Sequence, residues 1–169
     1  MKLVLVVVIT VTIISCINDN ITLQNNESLV VGDTIPDFSV KMNDGRVITG
    51  DSLRGSVSVI VFFHTSCPDC QKVLPVIQRL YNKYKDQGVV FLLISREEGE
   101  ASIASFWKSK GLNIPYSPQQ TRIVYELFAQ RGIPTIFISE SSGSIRYIFT
   151  DYPEPTYEEI EAAIKKAVT

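Results

Sequence analysis

Apolar and polar positions follow two rhythms along this chain, and the switches between them mark its elements. Val57–Phe63 (VSVIVFF) and Val89–Ser95 (VVFLLIS) are short, almost unbroken apolar runs rich in β-branched residues. Such runs predict strands covered on both faces of a sheet. Between them, Val73, Val76, Ile77, Leu80, Tyr81 and Tyr84 fall on a 3.6-residue period. That predicts an amphipathic helix from about Cys67, stopped by Gly88. Residues 38–42 alternate apolar and polar, Asn43-Asp44-Gly45 is a turn signal, and residues 46–48 return as a second short strand.

Further along, residues 100–110 read as a helix ending at Gly111, followed by a short extended piece around Ile114-Pro115-Tyr116. Residues 119–130 read as another helix, with Val124, Leu127 and Phe128 on one side. Thr135–Ser139 and Ile145–Phe149 read as strands joined by the turn Glu140-Ser141-Ser142-Gly143. Thr156 and Glu159 have the spacing of a capping box opening a last helix. Strands alternating with helices predict an α/β fold with a partly parallel sheet. The final hairpin makes that sheet mixed, and helices must cover both of its faces.

The first residues break this pattern. Lys2 is followed by an uncharged apolar run, residues 3–14, and then by Ser15-Cys16. One charge, a short apolar core and a small residue have the form of an export signal. The run is too short to span a bilayer as a helix, which takes roughly 20 residues. Ile13-Ile14-Ser15-Cys16 resembles a bacterial lipobox. The resemblance implies cleavage before Cys16 and lipid on its thiol and new amino group. Residues 17–34 are polar and Asn-rich, without a helical or strand period, and read as a tether. The organisation expected is a signal peptide at 1–15, a lipidated Cys16 and tether at 16–34, and one domain at 35–169.

Composition narrows the function classes. With 45% hydrophobic and 20% charged residues and a net charge of −2, the chain is an ordinary globular protein. It has no clustered basic residues, so nothing points to nucleic acid. There are three cysteines. Lipid on Cys16 would leave an even pair, Cys67 and Cys70, in a compartment where disulfides persist.

Cys67 stands where an apolar strand gives way to a helix, and Pro68 suits the first helical turn. One turn brings the two sulfurs together. A helix N-terminus offers free N–H groups and partial positive charge, which favour a thiolate, the nucleophile of disulfide exchange. Asp69 between the cysteines opposes that. A zinc site is short of ligands, with His64 the only histidine and Cys16 the only other thiol. A purely structural bridge across one turn closes a tiny loop and removes little chain entropy. A redox pair is the reading that remains best supported.

Arg131-Gly132-Ile133-Pro134-Thr135 before the strand IFIS resembles the proline loop of thioredoxin-fold proteins, where the Ile-Pro bond is cis and faces the CxxC motif. With Phe62-Phe63, Cys67-Pro68-Asp69-Cys70 and Pro75 in the following helix, the ordered set is similar to the thioredoxin superfamily. The 67 residues between Cys67 and Pro134 leave room for an inserted helix and strand. That insert, the opening IPDFSVKMNDGRVI and the tail GIPTIFIS resemble the TlpA/ResA-type, AhpC/TSA-like branch of exported thiol–disulfide oxidoreductases. The resemblance covers about residues 33–168. It implies a thioredoxin-like fold with an N-terminal hairpin, Cys67 as attacking thiol and Cys70 as resolving thiol. It also implies Ile133 and Pro134 as the place where a partner chain is held. No bound cofactor and no metal are implied.

The motif departs from the family at several positions. Ser66 stands where Trp is usual, Val61 where thioredoxin keeps a buried acid, and Val73 where some TlpA/ResA relatives have Glu. The customary proton-handling carboxylate is therefore missing from both places. His64, Ser66, Pro68 and Asp69 are the candidate modulators, although His64 and Asp69 also read simply as solvent-facing residues. Glu97, Glu98 and Glu100 read as a solvated helix start, Tyr81, Tyr84 and Phe128 as core, and Trp107 as core or groove wall.

The function expected is a membrane-anchored enzyme of the cell envelope, facing the periplasm. It would exchange a Cys67–Cys70 disulfide with protein thiols and be recharged by an upstream redox partner. Two rivals remain. A thiol peroxidase would need Thr, not His64, three residues before its cysteine. A non-catalytic module would keep the fold without cycling the dithiol.

Overall fold

The computed structural model describes residues 27–169. The expected signal peptide at 1–15, the expected lipidation site Cys16 and residues 17–26 lie outside the described residues.

The two buried runs become the middle of a five-stranded sheet. β3 (Val57–Phe63) is buried at all seven positions and pairs in parallel with β4 (Val89–Ser95), Val59 opposite Phe91 and Phe63 opposite Ser95. On its other side β3 pairs antiparallel with β6 (Thr135–Ser139), which pairs antiparallel with β7 (Ile145–Phe149). The two-residue β5 (Tyr116–Ser117) extends the far side of β4 in parallel, so the order is β5-β4-β3-β6-β7. The sheet is mixed, as the final hairpin requires. β1 (Ser39–Lys41) and β2 (Val47–Thr49) form a separate antiparallel hairpin.

Neighbouring residues of a strand point to opposite faces, and Phe62 and Phe63 show what covers each. Phe63 packs on Trp107 of α2 (Glu100–Lys110), with ring centroids 5.1 Å apart. Phe91, on that same face, meets Tyr81 of α1 (Pro68–Tyr84) at 5.8 Å. α4 (Tyr157–Val168) lies beside α1, with Arg79 over the Tyr157 ring at 4.3 Å. Phe62 faces the other way, onto Tyr125, Phe128 and Phe137. There α3 (Ile123–Glu126) and its C-terminal turn form the cover, joined by Phe38, whose ring is 5.5 Å from Phe128. Helices therefore sit on both faces. Trp107 is core, its indole N–H donating to the Ile114 carbonyl at 2.8 Å.

Two expectations change. The helix expected over 119–130 is only Ile123–Glu126. Gln119 is drawn into an isolated bridge with Glu98, its N–H donating to the Glu98 carbonyl at 3.1 Å and to Ser95 Oγ at 2.7 Å. Backbone paired in an antiparallel bridge is not helical, so the helix starts later, with Arg122 as its N-cap. The end of the expected tether is also part of the domain. The Leu29 N–H donates to Phe128 O at 2.9 Å and Gly32 N–H to Ile145 O at 2.8 Å, while Ile145 N–H donates back to Asp33 O at 2.8 Å. Residues 28–34 look unstructured in sequence because these bonds depend on backbone alone.

The capping box is present, with the Thr156 side chain accepting from Glu159 N–H and the Glu159 carboxylate accepting from Thr156 N–H. α1 runs through its interior Pro75.

Candidate functional site

Parallel strands β3 and β4 end at the same edge of the sheet, so the loops leaving them lie side by side. The loop after β3 carries the cysteines. Cys67 is the N-cap of α1, with extended backbone (φ −77, ψ 121), and Pro68 opens the helix. Cys67 is half-buried, Cys70 is fully buried, and both thiols are free. Only the first sulfur is open to a partner.

The proline loop comes from the opposite side. Tyr125 Oη and Thr135 Oγ1 both donate to Gly132 O, at 2.9 and 2.8 Å, and fix the approach to β6. The Ile133-Pro134 bond is cis. The Cys67 thiol donates to the Ile133 carbonyl at 3.4 Å. The residues expected to hold a partner chain thus adjoin the exposed sulfur.

Burial sets the two thiols apart. Cys70 is pushed well above the ordinary thiol range, first by loss of water, and further by its hydrogen bond with Cys67 and the charges of Cys67 and Asp69. The His64 backbone N–H works the other way and is outweighed. Cys70 is therefore a protonated donor held behind Cys67. That suits an attacking Cys67 and a resolving Cys70.

The modulators divide into two groups. Ser66 and Pro68 are exposed. Asp69 points outward and pairs with Lys72 at 2.8 Å, and Lys72 also reaches Glu154 at 3.3 Å. Its charge is therefore partly neutralised at the surface. His64 is engaged: Nδ1 lies 2.9 Å from Ser66 Oγ and accepts from Ser66 N–H at 3.2 Å.

Glu98 corrects the sequence reading. It is not part of a solvated helix start; its side chain is only 6% exposed. Its carboxylate accepts the Thr65 N–H at 2.7 Å and the Thr65 hydroxyl, and Oε2 is 3.7 Å from His64 Nδ1. Gln71, one turn into α1, completes the brace by donating to Thr65 O at 2.8 Å. Glu97 behaves as expected of a surface group and pairs with Arg96 and Arg122. Glu100 is also bonded, accepting from Tyr116 Oη at 2.7 Å. The order of parallel strands was the signal for Glu98. Two loops at the carboxyl ends of adjacent parallel strands share one crevice, where α/β sheets place their sites.

Residues 31–148 match the model of the AhpC/TSA family. The chain belongs to the AhpC/TSA family. It is 26% identical over 142 residues to the thiol-disulfide oxidoreductase ResA of Bacillus anthracis, covering 84% of this chain and 81% of that protein. To ResA of Bacillus subtilis (strain 168) it is 27% identical over 131 residues, covering 78% and 73%. Among solved structures, a putative protein disulfide isomerase from Bacteroides thetaiotaomicron superposes with a TM-score of 0.74 at 27% identity, over 82% of this chain and 87% of that one. A putative thiol:disulfide interchange protein DsbE from Chlorobium tepidum gives 0.74 at 22% identity over 84% and 100%, a likeness of fold. The fold is thioredoxin-like, and the AhpC/TSA member described here is a thiol–disulfide oxidoreductase.

Proposed function

We propose that this protein is an exported, lipid-anchored enzyme that exchanges the Cys67–Cys70 disulfide with protein partners on the periplasmic side of a membrane. The observation that carries the chemistry is the unequal pair: a part-exposed Cys67 at a helix N-terminus beside Ile133, with a fully buried Cys70 thiol behind it. In the reducing direction the Cys67 thiolate attacks a partner disulfide. A Cys67–S–S–partner bond forms, and one partner sulfur leaves as a thiolate and takes a proton. Cys70 then loses its proton and attacks Cys67, releasing the second partner thiol. Two electrons pass to the partner, and the enzyme is left as a disulfide that an upstream thiol must reduce. In this reading the backbone at Ile133 and Pro134, beside the Cys67 sulfur, holds an extended partner segment.

The anchoring rests on the lipobox-like stretch ending at Cys16. No helix among the described residues is long and apolar enough to cross a membrane. Export and lipidation are tested by labelling the full chain with a fatty-acid analogue, which C16A should abolish. The exchange roles are tested by trapping. C70S should accumulate disulfide-linked partners that dithiothreitol releases, and C67S should not; the reverse pattern would reject the roles.

A further inference from the structure

Glu98 is the one buried carboxylate among the described residues, and the exchange steps above do not use it. It comes from the loop after β4, yet its bonds go to the loop that carries Cys67. Oε2 takes the Thr65 N–H at 2.7 Å, Oε1 takes the Thr65 hydroxyl, and His64 Nδ1 lies 3.7 Å from Oε2. Its own backbone is pinned in turn. Ser95 Oγ donates to Glu98 O at 2.8 Å, and Gln119 N–H donates to the same carbonyl at 3.1 Å. The carboxylate is therefore a rigid post rather than a mobile surface group.

What it holds is the entry to α1. Thr65 is two residues before Cys67. Its carbonyl receives Gln71, its amide and hydroxyl go to Glu98, and the next peptide closes a turn through Cys67 N–H to His64 O at 3.0 Å. This turn sets where the Cys67 sulfur points, toward Ile133 O. The side chains of Val61 and Val73 are apolar and buried, so neither position brings a carboxylate to the dithiol. Glu98 reaches the dithiol loop from a different strand.

We propose that Glu98 is a positioning residue for the attacking thiol: it fixes the Thr65–Cys67 turn through two hydrogen bonds to Thr65, with His64 as the only cation-forming side chain within 4 Å of its carboxylate among the described residues. Arg96 and Arg122 are engaged by Glu97 instead. The inference rests on Cys67 being the reacting thiol, as in the function proposed above.

The test uses three variants and one reaction, alkylation of the reduced protein's Cys67 by iodoacetamide, in which an S–C bond forms and iodide leaves. E98A removes both acceptors, E98Q restores an acceptor of the same shape without charge, and T65V removes only the hydroxyl donor. With folding verified by far-ultraviolet circular dichroism, the alkylation rate at neutral pH should fall about tenfold in E98A. E98Q should recover to within about threefold of the wild type, since its amide oxygen can accept the Thr65 N–H while its NH2 donates to the Thr65 hydroxyl oxygen. T65V should lie between the wild type and E98A. A folded E98A alkylated at the wild-type rate would overturn the proposal, and so would an E98Q no faster than E98A. If E98A does not fold, T65V decides: an unchanged rate there rejects the positioning role. Reversible redox cycling of the wild type is measured separately. Its failure would count against the exchange reading and leave the alkylation comparison intact.

Discussion

The Cys67 sulfur lies 3.4 Å from the Ile133 carbonyl oxygen, though 66 residues separate them in the chain. The contact joins the two motifs on which the function rests. It exists because β3 and β6 are antiparallel neighbours, so the end of one strand abuts the start of the other. Phe62 pairs with Thr135, and the residues just beyond each reach the same edge.

The two thiols should react very unequally. Cys67 is part-exposed, whereas burial seals Cys70 from reagent and raises its thiol out of the neutral range. At pH 7 iodoacetamide should modify Cys67 at least about a hundredfold faster than Cys70, with Cys70 catching up only in denaturant. Peptide mass spectrometry over a time course reads both. Equal rates in the folded state would contradict the burial of Cys70.

Acid should weaken the domain through two surface carboxylates. Glu97 is held down to about 2, chiefly by hydrogen bonds from Arg122 and then from Arg96. Glu161 is held down to about 2 by Lys83 and then Lys165. A carboxylate depressed in the folded state contributes stability that is complete above its unfolded value, about 4.3, and is lost as pH falls toward the folded value. The urea midpoint should therefore drop between about pH 5 and pH 2, and less steeply in an E97Q/E161Q double variant. The partners Arg122, Lys83 and Lys165 lie at the surface, so added salt should shrink the difference. Parallel pH curves for variant and wild type would refute it.

The chain before Ile35 should contribute to stability. A chain starting at residue 35 loses the bonds made by Ser28, Leu29, Gly32 and Asp33 to Gln130, Phe128 and Ile145. At about 1 kcal/mol net for each bond, it should be less stable than one starting at residue 27 by about 2–4 kcal/mol. Urea unfolding of the two proteins measures this, and equal midpoints would place residues 28–34 outside the domain after all.

The cap of α4 offers a smaller, cleaner number. T156A removes the side-chain acceptor for the Glu159 N–H and should cost about 1 kcal/mol in urea unfolding. A change near zero would mean that the first turn frays without loss to the domain.

Much of this was legible in sequence because it depends on local periodicity. The apolar runs gave both central strands, and the 3.6-residue repeat with Gly88 gave α1 to within a few residues. The cysteine pair was legible from its place between an apolar strand and a helix, and the proline loop from resemblance, since no local period says that Ile133 meets Cys67. What escaped depends on long-range partners. Gln119 reads as helical until Glu98 claims its backbone, and residues 28–34 read as tether because most of their bonds to the domain are made by backbone, which leaves no pattern in the residue types. Glu98 looks like one of three acidic surface residues; only the adjacency of β3 and β4 turns it inward.

The most direct test is a redox titration of residues 27–169 in glutathione or dithiothreitol buffers, counting free thiols by alkylation mass shift. A Cys67–Cys70 exchange centre should give one reversible two-thiol step, the ratio of forms changing tenfold per about 30 mV. A thiol count that does not change across the buffers while the domain stays folded would mean that the pair does not cycle, and exchange at these cysteines would be wrong.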